Sequence, residues 1–450
     1  MNIAEKVKSK ILSKTTEANN RKIGVEIESF YYKNKGDLRI PVNHENEYSA
    51  SDLLHDIDLL TKESNEKFSY SLEPGGQLEW ASAPHVSLWK IKEEYSKHIE
   101  SQKLLCKKNN IGVGYFSVEP MSHPHDIKLI NSNKYHLMND MFKQTGDLGP
   151  WMMRNTTSLQ LNIDYLNEQD ANQMTFVADA IQPLASILFS NAPFKEGEMV
   201  GDQNLRWNIW NDTDASRCRT LFDHEIKTSN NLIDKYVDWL LSRKAIFLEN
   251  PIDTFIEFED TLENMIKTNT DDRLIYSSFR QIFTHVRFKT VLEVRACDRQ
   301  EKGDELAPAA FLSGLLTTEK ARDTLMEELT SWTDSDRRCL SKSAQSVDFS
   351  NDGPKGKTIG YWLEYLCQLS LDGLDERSKI LNIKNEKILL ESKLKNLISQ
   401  GTATRQIQDA YKKSGQTLKS FIRENYLDLY KFYNDSGNDL IIGYYDKMKY

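Results

Sequence analysis

Four short stretches, far apart in a chain of 450 residues, place ionic or amide side chains on alternate positions. In IGVEIESF, residues 23 to 30, Ile23, Val25 and Ile27 alternate with Gly24, Glu26 and Glu28. That period of two belongs to a strand with one dry and one wet face. Glu26 and Glu28 then point the same way, about 7 Å apart, where two full charges repel by about 2 kcal/mol at an effective dielectric near 20. Such a pair favours a cation between its members. In YSLEPGGQLEWASAP, Pro74, Gly75 and Gly76 force a tight turn, with Glu73 before it and Gln77 and Glu79 sharing a face after it. Glycines there suit a backbone brought close to a ligand. TSLQLNIDY sets Gln160 and Asn162 opposite Leu159, Leu161 and Ile163, and TVLEVRACD sets Glu293, Arg295 and Cys297 opposite Leu292, Val294 and Ala296, with Arg287 just upstream. One acidic strand alone is an ordinary solvated sheet face; four of them, if they share a sheet, make a concave acidic bowl that hard divalent cations must neutralise. Magnesium with a nucleoside triphosphate fits that bowl best. No GxxxxGK[ST] or GxGxxG is present, so the phosphates would rest on metals and on the planar forks of arginines.

The elements that must hold these strands are helices. Ile3, Val7 and Ile11 share one helical face; Leu53, Leu54, Ile57 and Leu60 mark a second helix that a Ser caps, and Ser87 to Asn109 reads as a long third. A helix over 167–190 should kink at Pro183. RWNIWNDTDASRCR, residues 206 to 219, reads as a charged loop whose Trp207 and Trp210 form a lid or wall. His123 and His125 form an HxH, which between prolines is more often a surface feature than a metal site. From Pro308 onward the pattern is helical, through PAAFLSGLL, residues 361–374, 376–399 and 403–433. The expected architecture is an α+β domain with a mostly antiparallel sheet and helices outside. The expected division is a catalytic domain over 1–320 and a helical C-terminal region over 321–450 packed on it and not independent.

With 39% hydrophobic residues and 10% aromatics the chain has ample core material. A formal net charge of −9, without a long acidic or basic run, argues against non-specific binding to nucleic acid or anionic membranes. Five scattered cysteines without a CxxC pair, no secretory-type leader and no membrane-length apolar stretch give the expectation of a reduced, cytoplasmic protein, monomeric or homodimeric. Buried or incidental thiols are commoner than redox switches, which is the ordinary reading of Cys218 and Cys297.

Taken in order, these motifs resemble the plant-type glutamate–cysteine ligases, carboxylate–amine ligases of the glutamine-synthetase-like superfamily. IGVEIESF is similar to that family's IGTExEKF, SLEPGGQLEWASAP to SLEPGGQFELSGAP, and MMRNTTSLQLNIDY to MMFRTCTVQVNLDF. IQPLASILFSNAPF, RWNIWNDTDASR, YVDWLL, IFTHVRFKTVLEVRACD, FLSGLL and LCQLSLDGL follow in the family's sequence, so the resemblance spans about residues 21 to 375. It implies a sheet curled into an open funnel. It also implies ATP-dependent joining of the γ-carboxylate of glutamate to the amine of cysteine through a γ-glutamyl phosphate, the first step of glutathione synthesis, with ATP as co-substrate and two or three Mg2+ ions. Carried over by motif, Glu26, Glu28, Glu73, Glu79, Gln160 and Glu293 would hold the metals, and Glu293, Arg295 and Arg206 would be catalytic. Arg206 would also grip the amino acid, with Arg217, Arg287 and Gln77 around the same cleft. Departures fall elsewhere. Asn155 stands where the family has Arg, with Arg154 one place earlier and, in a strand, on the other face; Ser278 stands where a His is usual; and RGAD is RACD here, with Cys297 on the cleft face. They bear on the acceptor amine, so the alternatives are a paralogous γ-glutamyl ligase with another acceptor and, less favoured, a non-catalytic nucleotide-binding relative.

Overall fold

The computed structural model describes residues 2–34, 38–252, 254–269 and 271–429. In chain order the first elements are α1 (Ile3–Ile11), β1 (Ile23–Lys33), α2 (Ala50–Glu63), the hairpin β2 (Ser69–Leu72) and β3 (Leu78–Ala81), α3 (Leu88–Asn109) and β4 (Ile111–Gly114). They are followed by α4 (Asn133–Thr145), α5 (Gly149–Asn155), β5 (Ser158–Ile163), α6 (Glu168–Leu188), the small ladder β6 (Phe194–Lys195) with β7 (Glu198–Met199), α7 (Leu205–Asn211) and α8 (Leu232–Leu241). Next come the ladder β8 (Leu248–Glu249) with β9 (Phe255–Ile256), α9 (Leu262–Lys267), α10 (Asp272–Phe279), β10 (Val286–Phe288) and β11 (Leu292–Asp298). The rest is α11 (Ala307–Leu316), α12 (Glu319–Thr330), α13 (Asp334–Ser343), α14 (Ile359–Leu381), α15 (Glu391–Gln400), α16 (Ala403–Ser414), α17 (Leu418–Asn425) and β12 (Leu427–Asp428).

The four patterned stretches do share one sheet. Its strand order is β10-β11-β5-β1-β3-β2, antiparallel throughout and open at both edges. β1 is long enough to serve three neighbours, with Ile23 to Ile27 against β5, Glu26 to Ser29 against β3 and Phe30 to Lys33 against β4. Alternation then sorts the side chains. Val25, Ile27, Leu159, Leu161 and Val294 enter the main core, and the polar set lies on the opposite face. That core is completed by α6, whose residues from Met174 to Leu188 are all buried, so that this part of the helix is enclosed by protein on every side. α6 runs as one continuous helix through Pro183.

Local chemistry sets the other ends. Ser49 accepts from the Asp52 N–H to start α2, Ser87 caps α3, and Asn110, at φ 54°, ends α3 in the left-handed region. The β2–β3 turn needs both its glycines. Gly76 sits at φ 78°, and a Cβ on Gly75 would lie 2.6 Å from the Cα of Arg154. The close approach foreseen at this turn is therefore to the backbone of α5, and Arg154 and Asn155 close a helix rather than lie in a strand.

The C-terminal helices are joined to the rest by backbone contact. A Cβ on Gly373 of α14 would fall 2.0 Å from the Gly314 carbonyl oxygen of α11, so the two helices touch where neither has a side chain. The 403–433 stretch, expected to be helical, forms α16, α17 and the short strand β12 on β4, and its last residues lie outside the described ones.

Candidate active site

On the polar face of the sheet, register brings the acids together. Glu26 is opposite Gln160 and Glu28 is opposite Glu79, directly paired residues whose side chains must stand on the same side. Glu73 joins them from the turn after β2. One carboxylate oxygen each of Glu28, Glu73 and Glu79 lies within 4.8 Å of the others. Burial, then the neighbouring Glu73, pushes the Glu28 carboxyl up to about 7. Burial raises Glu73 and, with Glu26, Glu73 and Glu28 around it, holds Glu79 well above the ordinary carboxylate range. Three clustered carboxylates whose charged forms burial disfavours are hard oxygen donors of the kind that could hold a magnesium ion.

The neighbours of this triad hold it in place. Glu28 accepts from Ser158 Oγ and Gln160 Nε2, both at 2.9 Å, Glu26 accepts from Asn162 Nδ2 at 2.9 Å, and Glu79 accepts from Ser71 Oγ at 2.7 Å. Gln160 thus has its amide nitrogen on Glu28, while its oxygen accepts from Arg295 Nη1 at 2.7 Å. Glu293 behaves differently from the other acids. It is fully buried and ion-paired to Arg287, Lys289 and Arg295. Burial alone would raise its carboxyl, but those three cations outweigh burial and hold it well below the usual range. Its charge is already compensated, and it stands outside the Glu28, Glu73, Glu79 group.

Arg206 and Arg295 line the same cleft, each guanidinium within 6 Å of the Trp210 indole, at 5.9 and 5.6 Å. Arg206 Nη2 donates to the Arg295 carbonyl at 3.3 Å, and Asp298 lies 3.7 Å from Nη1. The stretch read as a charged loop begins as helix α7, which buries Trp207 against His285 and turns Trp210 into the cleft wall.

Two expectations are corrected, those for Arg217 and Cys297, while Gln77 stands at the cleft as expected. Arg217 is not around the cleft: it is 2% exposed, paired with Asp214 at 2.9 Å, and donates to the carbonyls of Gln281 and Lys244. Gln77 borders the cleft, but its amide is engaged inside the protein, accepting from the Gly75 N–H at 3.0 Å and donating to Thr156 O at 2.9 Å. Cys297 faces the core. A β-bulge between Val294 and Cys297 makes Cys297 the partner of core-facing Leu159 and Asp298 the partner of Ser158, so alternation reverses after Arg295. Asp298 takes the cleft-side place and accepts from the Asn191 N–H at 2.8 Å.

Other cleft residues were not singled out from the sequence. Lys134 and Tyr135 come from the first turn of α4, and Arg280 and Lys289 from the ends of α10 and β10. Burial lowers the Lys134 ammonium from its ordinary value. The signal was Tyr135, Met138 and Phe142 at helical spacing after Ser132, which marks a helix without saying what it overhangs. The two remaining departures, Asn155 and Ser278, are fully buried, donating to Ser122 O and Ile275 O. His123 and His125 lie against one another with ring centroids 4.1 Å apart, and among the described residues no third ligand joins them.

Comparison with known proteins gives the relationships. Residues 22–386 match the family model of glutamate-cysteine ligase family 2. The chloroplastic glutamate–cysteine ligase A of Oryza sativa subsp. indica is 29% identical over 381 residues, 80% of this chain and 75% of that one. The chloroplastic glutamate–cysteine ligase of Arabidopsis thaliana is 29% identical over 322 residues, 69% of this chain and 60% of its own. Among solved structures, the glutamate–cysteine ligase of Francisella tularensis in complex with AMP shares the fold, with a TM-score of 0.55 and 14% identity over 90% of this chain and 87% of that one.

Proposed function

The chain belongs to glutamate-cysteine ligase family 2, and from that premise we propose that its acidic cleft joins the γ-carboxylate of glutamate to the amine of cysteine, using ATP and passing through a γ-glutamyl phosphate. An amine does not attack a carboxylate anion, so the carboxylate must first carry a leaving group, and the transfer crowds several negative oxygens into one space. Magnesium, when bound, disperses that charge over the phosphate oxygens. Glu28, Glu73 and Glu79 are the residues we propose to hold it, with Glu26 beside them and two or three ions as the expected number; the 4.8 Å cluster is the observation that carries the reading.

The other residues then have distinct tasks. Gln160 links Glu28 to Arg295, fixing a metal-side carboxylate relative to a phosphate-side guanidinium. Glu293 holds Arg295 Nη1 at 3.0 Å and orients it, and Arg295 meets the phosphoryl group in transit. Arg206, clamped by Asp298 and the Arg295 carbonyl, takes the carboxylate of the amino acid, with Arg287 behind as support for Glu293. Lys134, in the cleft near Glu73 and with no ion pair within 4.0 Å among the described residues, offers a second cation for an amino-acid carboxylate. Holding acyl phosphate and amine side by side supplies much of the rate. The five cysteines are all free, which suits a reducing compartment such as the cytoplasm, and no described helix is long and apolar enough to cross a membrane. We also propose that the C-terminal region expected over 321–450 belongs, through its described residues up to 429, with the catalytic 1–320 region rather than folding alone, because α14 and β12 are built onto α11 and β4.

Phosphate release from ATP, magnesium and glutamate should depend on cysteine. The reading fails if cysteine is inert in a panel of amines, and turnover with another acceptor would establish the paralogous γ-glutamyl ligase.

A further inference from the structure

A second cavity, of about 400 Å3, lies at the foot of β1 and shares no lining residue with the acidic cleft. Arg21, Arg322 and Arg377 line it, 3%, 8% and 2% exposed. Arg21 Nη2 and Arg322 Nη1 both use Oδ1 of Asp170, at 2.6 and 2.9 Å, while Arg377 pairs with Glu386 at 2.9 Å. Three buried guanidiniums therefore share two buried carboxylates, and the Nε of both Arg21 and Arg322 is buried without an acceptor. The remaining acid on the lining, Glu319, is exposed. Positive charge held out of water without full compensation is costly, and an anion in the adjoining space would relieve it.

Two further features favour the same occupant. Helix α12 begins at this cavity with no side-chain cap, because the Thr318 hydroxyl is turned to the Gly314 carbonyl, so its first-turn N–H groups are left for another acceptor. Ile380, 54% exposed and one turn from Arg377 on α14, gives the cavity an apolar edge suited to a carbon skeleton. We propose that this cavity is a second binding site, separate from the acidic cleft, for a small organic dianion bearing a phosphate or paired carboxylates. Arginine's planar fork matches both groups, and the cavity is several times the volume that a lone water occupies.

The test is thermal melting in EDTA, with phosphate or glutarate at about 20 mM compared with chloride at equal ionic strength. The proteins are the wild type, Arg322→Gln and Gln173→Glu. Gln173 lines the cavity and is partly buried, and its replacement leaves both Asp170 ion pairs intact, so this variant remains informative should Arg322→Gln fail to fold. We expect at least one of the two anions to raise the wild-type melting temperature by about 1–2 °C. That rise should be lost in both variants, and Gln173→Glu should melt higher than wild type in chloride. Whichever anion acts identifies the headgroup. A wild type that responds to neither anion, or a rise retained in Gln173→Glu, would overturn the proposal. The melts require no turnover, so their outcome is independent of the ligase reading.

Discussion

Glu79→Gln should make the metal-free protein more stable while crippling it as an enzyme. The clustered oxygens of Glu28, Glu73 and Glu79 lie within 4.8 Å of one another. At an effective dielectric near 20, two full charges at that separation repel by about 3 kcal/mol. Burial, with the neighbouring acids adding to it, favours the protonated forms, so Glu28 is pushed up to about 7 and Glu79 is held well above the ordinary carboxylate range. Holding a proton that the unfolded chain has released also costs about 1.4 kcal/mol for each pH unit above the unfolded value. Both groups are acids raised above that value, so the folded state binds the extra protons. Stability is then greatest below about pH 4.5 and declines as pH rises through 7. Glutamine removes the charge and can still accept from Ser71 Oγ. In urea melts with EDTA, Glu79→Gln should exceed wild type by about 2–3 kcal/mol at pH 8 and by little at pH 5. Magnesium should close the gap, because it stabilises the wild type more than the variant. A variant no more stable than wild type at pH 8, or an advantage of the same size at both pH values, would refute the reasoning.

Arg295→Gln should lower kcat by about 1,000-fold in a phosphate-release assay while the protein remains folded, since Glu293 retains Arg287 and Lys289; activity within tenfold of wild type would remove Arg295 from the phosphoryl step. Lys134→Gln should raise the KM for one amino acid by about 10- to 100-fold with less effect on kcat, and unchanged KM values for glutamate and acceptor would show that its ammonium touches neither. Arg217→Gln should destabilise the protein by about 3 kcal/mol in urea melts, because it strands buried Asp214, while the KM values of the folded enzyme stay at wild type.

The sheet and its acidic face were legible because period-two patterning is local: each of the four strands carries its own record of which side is wet. What joins Glu28 to Glu79 is register, a long-range property, yet four strands sharing one pattern had little choice but to align their wet faces. Legibility ended where one residue broke the period. The bulge before Cys297 reverses the alternation, and nothing in RACD announces it. Arg217 and Gln77 show a second limit. Residue type says that a guanidinium or amide seeks partners, but Arg217 finds Asp214 and Gln77 finds the Thr156 carbonyl, both inside the protein. Lys134 shows the converse, a helix legible in sequence whose overhang above the cleft depends on how α4 docks, tied by the Tyr135 hydroxyl to the Leu72 carbonyl. That Glu293 stands among three cations was not legible either, because Arg287, Lys289 and Arg295 come from separate positions on β10, the turn after it and β11.

The central claim is that the acid-lined cleft activates a carboxylate by phosphorylation before an amine attacks it. Glutamate carrying 18O in its γ-carboxylate, turned over with ATP, magnesium and cysteine, reads this directly in the mass of the phosphate released. Each phosphate released should carry one labelled oxygen, matched by one γ-glutamyl product; phosphate released without label would exclude a γ-glutamyl phosphate.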